Sequence, residues 1–285
     1  TTAAAATTST PSVISTGCRA LDELISFPVE YFGHCQQWHH NGILDEQQNE
    51  QQHSELGIPR GYVLQLTGNT AKTQLALQLA AQVVLQHSGS SEERVRYCYS
   101  SAGHSGLALA RRFVQLLGVS ERGGGDCGKR IDFEPITTGI PLIKALDALE
   151  EEWSMSTQRQ PSVEEGTDND DSDSFPCMRH GPTVMLVVDS LPMILLERED
   201  PDQMLRLERR LKRIARQYFV LVVMVGGAGV STATSNADVH LHLQKETSNY
   251  SKTSVRLLRH PARLVTSKDC ISLLHTTNFG MTTEG

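Results

Sequence analysis

The sequence predicts an α/β fold, a mostly parallel central sheet with helices on both faces, and three stretches carry that expectation. Residues 57–85, GIPRGYVLQLTGNTAKTQLALQLAAQVVL, read as a strand, a tight loop and a helix in immediate succession. Residues 183–190, TVMLVVDS, form a continuous apolar run that ends in Asp189, the pattern of a parallel strand buried on both faces. Residues 201–218 place Leu207, Leu211 and Ile214 on one side of a helix and Arg206, Arg209, Arg210, Arg213 and Arg216 around the rest. At 285 residues the chain can bury one large core that carries polar insertions.

Charge and composition narrow the function classes only in part. The formal charge is -7, but Glu164, Glu165, Asp168, Asp170, Asp171 and Asp173 fall within EEGTDNDDSD, which has no Lys or Arg. The remainder is nearly neutral, so net charge neither supports nor excludes a DNA partner. No apolar run reaches the ~20 residues needed to cross a bilayer, and no membrane partner is expected. The six cysteines include no CxxC pair and read as free thiols of a reducing compartment. Residues 1–11 read as a linker without an initiator Met, from which we expect an upstream domain.

Taken in order, residues 12–25, SVISTGCRALDELI, couple an extended start to a short amphipathic helix bearing Leu21, Leu24 and Ile25. Residues 27–55 are rich in Gln, His and Asn without periodicity and read as an exposed insertion. Cys35, His39, His40 and His53 within it have a spacing that fits no standard zinc site. Then comes a β-favouring run at 62–67, a turn from Gly68 to Lys72, and a helix whose apolar face holds Leu75, Leu79 and Val83 with Ala76, Ala80 and Val84.

That succession is the architecture of a phosphate-binding loop. Backbone N–H groups and the positive end of the helix hold phosphates, Lys neutralises their charge, and the Ser/Thr hydroxyl ligates magnesium. Here Gly68, Asn69, Thr70, Ala71, Lys72 and Thr73 are the candidate nucleotide-binding residues, with Thr73 as a magnesium ligand. The loop is degenerate. Against the full G-x-x-x-x-G-K-[ST] pattern, Gly68 and Lys72 enclose only Asn69, Thr70 and Ala71, and Ala71 replaces the Gly before Lys. Fewer N–H groups can converge, and Ala does not freely adopt positive φ.

Further along, GGGDCG at 123–128 is a turn and residues 131–136 a strand, followed by a helix at 141–153 with Leu142, Leu146 and Leu149 on one face. Residues 154–182 are acidic, Ser/Pro-containing and nearly without aliphatics, so they read as a disordered insertion with phosphorylatable serines such as Ser172. The arginines of 201–218 admit two readings, phosphate contacts or a solvated surface paired with acids such as Glu208. Asp189, at the carboxyl end of its strand, is a candidate magnesium ligand, with a turn-capping role as the alternative.

These segments together resemble the RecA/Rad-type recombinase ATPase core of eukaryotes. The resemblance rests on ISTGCRALDELI, GIPRG and the loop, then on 94–100 as the second strand and 105–117 as its helix. TVMLVVDS resembles the Walker B strand, 219–225 the next strand, and 237–279 the antiparallel C-terminal strands, with Pro261 after a basic strand. It covers the chain from Ser12 onward apart from the insertions 27–55 and 154–182. Within the family, SSAGHSG, GIPLIKALDALEEEW and TNFGMTTEG resemble the D-type recombinase paralogue.

The resemblance implies a subunit that assists homologous-recombination repair of DNA in the nucleus through assembly with other recombinase-family paralogues. It implies ATP and Mg as cofactors, but the catalytic parts are missing. The acid expected after the second strand is Ala102 of Ser100, Ser101, Ala102, Gly103; Gly226 and Gly227 replace a polar sensor; Leu109 stands in place of an adenine-stacking Arg, with Arg111 two residues on. No catalytic residue is assigned, and a weak or non-hydrolysing nucleotide binder is expected. The alternatives are an active DNA-dependent ATPase of the same family and an unrelated P-loop kinase or transport ATPase. The loops at 196–202 and 226–237 are poor in cations, so Arg256, Arg259, Arg263 and Lys268 are the candidate DNA contacts, though edge-strand solubility explains them equally well. Residues 1–11 contain no Phe-x-x-Ala-like polymerisation anchor.

Overall fold

The computed structural model describes residues 13–27, 56–86, 93–118, 127–158, 183–191, 201–226, 236–246, 252–266, 268–277 and 280–283. Most of the Gln/His-rich insertion, with its four candidate zinc residues, and residues 159–182 of the acidic one lie outside them, as do 192–200 and 227–235.

A two-residue strand, β1 (Val13–Ile14), pairs antiparallel with β2 (Ile58–Pro59), so the segment before the first helix meets the segment after the insertion. Between them runs helix α1 (Arg19–Ile25), which buries Leu21 and Ile25. Its start is secured by Asp22, which accepts from the Thr16 backbone N–H at 2.6 Å and the Ser15 hydroxyl at 2.6 Å.

The main sheet begins with β3 (Val63–Gly68) and helix α2 (Lys72–Gln86), followed by β4 (Arg94–Ser100) and α3 (Gly106–Leu116). Next come β5 (Ile131–Ile136), α4 (Gly139–Gln158) and β6 (Thr183–Asp189), then α5 (Pro201–Tyr218) and β7 (Leu221–Val225). The chain closes with β8 (Val239–Lys245), β9 (Lys252–Arg259), β10 (Cys270–Thr277) and β11 (Gly280–Thr283). The strands form one nine-stranded sheet in the order β11-β10-β9-β8-β3-β7-β6-β4-β5. Strands β8 through β5 pair in parallel, and β9, β10 and β11 add antiparallel at one side. This is the α/β architecture expected.

Period-two alternation sends the side chains of each central strand to two different cores. Met185 and Val187 of β6 face the core that also takes in α1, α2 and α3, whereas Leu186 and Val188 face the core shared with α4 and α5. All seven β6 residues are buried, which is why the run reads as unbroken apolar sequence. Each fully buried aliphatic here contributes about 1.5–3 kcal/mol. Gln78 of α2 ties the ends of the chain to this core: its Nε2 donates to Thr16 O at 2.8 Å, and its Oε1 accepts from the Met281 N–H at 2.6 Å.

Three local expectations change. Helix α4 continues past Trp153 to Gln158, so residues 154–158 are helical rather than the start of the acidic insertion. The extension is anchored by Trp153, whose Nε1 donates to Thr183 O at 2.9 Å while its ring stacks on Tyr218. The acids paired with the α5 arginines come chiefly from α4, not from Glu208. Arg210 reaches Asp147 and Glu150, Arg213 reaches Glu150 at 3.0 Å, and Lys212 and Arg216 reach buried Asp238. Glu208 instead accepts from the Asn236 backbone N–H. Finally, β9 is an interior strand between β8 and β10, so edge protection does not account for Arg256 and Arg259.

Candidate nucleotide-binding site

The parallel pairing brings the carboxyl ends of four strands together: Tyr99 lies beside Asp189, Asp189 beside Val225, and Leu66 beside Val225. In open parallel sheets this edge is where ligands bind, because the loops diverge there and helix N-termini face it.

The β3–α2 loop departs from an open cradle. Gly68 has φ +114 and lies against the backbone of β8 so closely that a Cβ would stand 1.8 Å from Leu243 O. Only Gly fits. Asn69 donates its N–H to Leu243 O at 3.1 Å, and its Oδ1 accepts from the Lys245 N–H at 3.0 Å. Ala71 adopts φ +54, the left-handed geometry that the missing Gly would supply, at a cost of about 1 kcal/mol. Its carbonyl then accepts from Leu75 N–H and opens α2.

Lys72, half-buried, donates from Nζ to Gly68 O at 2.7 Å and to Gly226 O at 2.7 Å. The side chain expected to meet phosphate thus staples the loop to the end of β7. Burial lowers its pKa, and the charge of Asp189 acts in the opposite direction. Beneath the loop, the Thr67 hydroxyl shares hydrogen bonds with His240 Nε2 at 2.8 Å and His242 Nδ1 at 3.2 Å. Burial, with His242 and Arg259 adding to it, pushes His240 down to about 4, so it is neutral at pH 7.

Asp189 is fully buried. Its Oδ2 accepts from the Tyr97 hydroxyl at 2.9 Å, while Oδ1 has no hydrogen-bond partner. Burial and then Asp189 itself hold the Tyr97 hydroxyl well above its usual pKa. His104 Nε2 stands 3.6 Å from Asp189 Oδ1 and 3.5 Å from Thr73 Oγ1. Contact with Asp189 raises the His104 pKa, and partial burial opposes the rise.

The two candidate magnesium ligands, Thr73 and Asp189, therefore converge on one imidazole. Motif matching does not single out that histidine, because the motif's acidic position falls on Ala102, which is exposed in the turn before it. The available signal was a titratable side chain two residues downstream in SSAGHSG. Asp189 Oδ1, paired only with His104 at 3.6 Å, suits a cation, since a buried carboxylate oxygen without a hydrogen bond is costly. The loop suits a phosphate less well, because the Asn69 N–H and two Lys72 protons already serve main-chain carbonyls.

Leu109 is buried in the core with α2, and Arg111 is exposed. Gly226 supplies a carbonyl to Lys72, and Gly227 lies outside the described residues. The DNA candidates are remote from the loop in sequence and all exposed: Arg256 and Arg259 on β9, Arg263 and Lys268 in the β9–β10 connection. Arg263 is engaged by Asp269 at 3.1 Å and by Leu24 O. Among the described residues no helix is long and apolar enough to cross a membrane.

No protein-family model and no curated protein matches this sequence. Among solved structures, the chain is similar to the crystal structure of the RadB recombinase, with a TM-score of 0.55 at 18% identity over 95% of this chain and 100% of that one. The chain thus has a RecA-like fold.

Proposed function

We propose that the protein is a recombinase-paralogue subunit of the D-type branch that assists homologous-recombination repair of DNA in the nucleus. It acts by assembling with other recombinase-family subunits, and it binds nucleotide weakly or without turnover. The observation that carries the non-hydrolysing reading is the state of the loop: Lys72 is bonded to two carbonyls, and the position expected to hold an acid is the exposed Ala102. The RecA-like fold and the similarity to a solved recombinase support the recombination role. When bound, magnesium would be held by Thr73 and Asp189 and would neutralise phosphate charge. This chain's own residues position the helix end, close the loop through Lys72 and orient Asp189 through Tyr97. DNA is reached chiefly through the assembled complex, with Arg256, Arg259, Arg263 and Lys268 as the contributing cations.

A second reading, an active DNA-dependent ATPase, is favoured by one feature: His104 brings an imidazole to Thr73 and Asp189 where the acid is lacking. Assembly is tested by capture of the tagged full chain from nuclear extract at high salt, followed by mass spectrometry. Stoichiometric recovery of other recombinase-family subunits is expected. Recovery of the chain alone, together with tight DNA binding by the purified protein, would overturn the proposal.

A further inference from the structure

The outer pole of α5 carries a row of cations that the fold matches only in part. Helical spacing sets Arg206, Arg209, Arg213 and Arg216 within an arc of about 80° and over about 15 Å of axis, opposite buried Leu207, Leu211 and Ile214. All four arginines are exposed. Arg213 touches Glu150 at 3.0 Å and Arg216 touches Asp238 at 3.3 Å, yet both side chains remain 62% exposed. Arg206 and Arg209 make no ion pair among the described residues. Asp202, exposed in the first turn, is the acid that shares this pole.

A second observation concerns where the acidic insertion begins and ends. Trp153 of α4 stacks on Tyr218, the last residue of α5, and donates to Thr183 O at the start of β6, while the Ser154 and Tyr218 hydroxyls stand 3.3 Å apart. The chain therefore leaves α4 at Gln158 and re-enters the sheet at Thr183 beside the end of α5. We propose that residues 164–173, EEGTDNDDSD, dock on the arginine stripe of α5 in the same molecule and shield it from other polyanions.

Chain length permits the contact. Arg206 lies about 18 Å along the helix axis from Tyr218. From Gln158 to Glu164 an extended chain spans about 20 Å, and from Asp173 back to Thr183 about 33 Å. Charge selects it, because six acids without a Lys or Arg meet four guanidinium groups whose forks match carboxylate geometry. Exposed ion pairs hold little one by one and are screened by salt. The tether changes that arithmetic: a short linker sets an effective concentration in the millimolar range, so contacts too weak to join two molecules are populated within one.

The contact is independent of nucleotide binding and of the assembly role, because both partners belong to this chain. Its test uses the full chain at low salt, with cleavage after Glu164 and Glu165 by a glutamyl endopeptidase as the readout. Arg206→Gln combined with Arg209→Gln should speed that cleavage about threefold or more, whereas Arg206→Lys with Arg209→Lys, which keeps the charge, should retain most of the protection. Protection should not change over about a tenfold dilution. A labelled EEGTDNDDSD peptide reads the stripe from outside. It should bind about tenfold tighter once the six acids of 164–173 are replaced by Gln and Asn, and adding Arg206→Gln and Arg209→Gln to that variant should remove the gain. If the paired Gln variant does not fold, Arg209→Gln alone carries the comparison. Equal cleavage of the wild type and a folded Gln variant would overturn the proposal. So would protection that fades on dilution, which would place the contact between two copies, or a gain in peptide binding that survives the arginine changes.

Discussion

Acidification should destabilise this protein through His240, and the size of the effect follows from where the ring sits. His240 is 1% exposed, bonds to the Thr67 hydroxyl beneath the loop, and has its pKa lowered from 6.5 to about 4 by burial, with His242 and Arg259 adding to the shift. The unfolded imidazole takes up a proton near 6.5, and the folded one only near 4. Between those values the unfolded state binds more protons, so stability falls as pH drops below 6.5 and the loss levels off below 4. Integrating that difference gives a loss of about 2 kcal/mol by pH 5 and a ceiling of about 3 kcal/mol. His104 acts in the opposite sense: its raised pKa contributes stability below 6.5 that is lost as pH rises through the folded value. Comparing the wild type with His240→Gln cancels that contribution and those of the carboxylates. The assay is urea unfolding of both proteins at pH 8 and pH 5 with a shared m-value check. The wild type should lose about 2 kcal/mol more than the variant over that interval. Parallel losses would refute the argument that a buried neutral imidazole supports the loop.

The loop itself supplies two opposed substitutions. Gly68→Ala should destabilise by about 3 kcal/mol or more, because its Cβ would meet the Leu243 carbonyl of β8 at 1.8 Å; a melting temperature near that of the wild type would contradict the close packing. Ala71→Gly should stabilise by up to about 1 kcal/mol by relieving the left-handed Ala71, and a measured destabilisation would show that the strain is absent. In a turnover assay with and without single-stranded DNA, the wild type should hydrolyse ATP no faster than Lys72→Ala. Turnover that this substitution abolishes would instead favour the active ATPase, with His104 in place of the missing acid.

Much of the fold was legible because burial writes its own period into the chain. The run TVMLVVDS announces a strand covered on both faces, and β6 is that strand, ending at Asp189. Leu75, Leu79 and Val83 recur at helical spacing, and they are the buried side of α2. Leu207, Leu211 and Ile214 do the same for α5. The degeneracy of the loop was equally plain, since the positions of Gly68, Ala71 and Lys72 are a matter of counting. These features are local: the residues that define them lie within one element or one turn.

What the amino-acid order left open is which elements face each other across the sheet. Lys72 meets Gly226 across 154 positions, and Thr67 meets His240 across 173. His104 meets Asp189 because the second strand of the parallel core lies beside the fourth. The arginines Arg210 and Arg213 of α5 find Asp147 and Glu150 because α4 shares their face of the sheet, so of the two readings of that helix the acid-paired surface holds for them, with partners that its own sequence does not name. Arg256 changes meaning in the same way once β9 acquires neighbours on both sides. Periodicity specifies which side of an element is buried, but strand order specifies what it is buried against. The chemistry at the carboxyl edge, a buried carboxylate held between a tyrosine hydroxyl and an imidazole, therefore belongs to the tertiary structure.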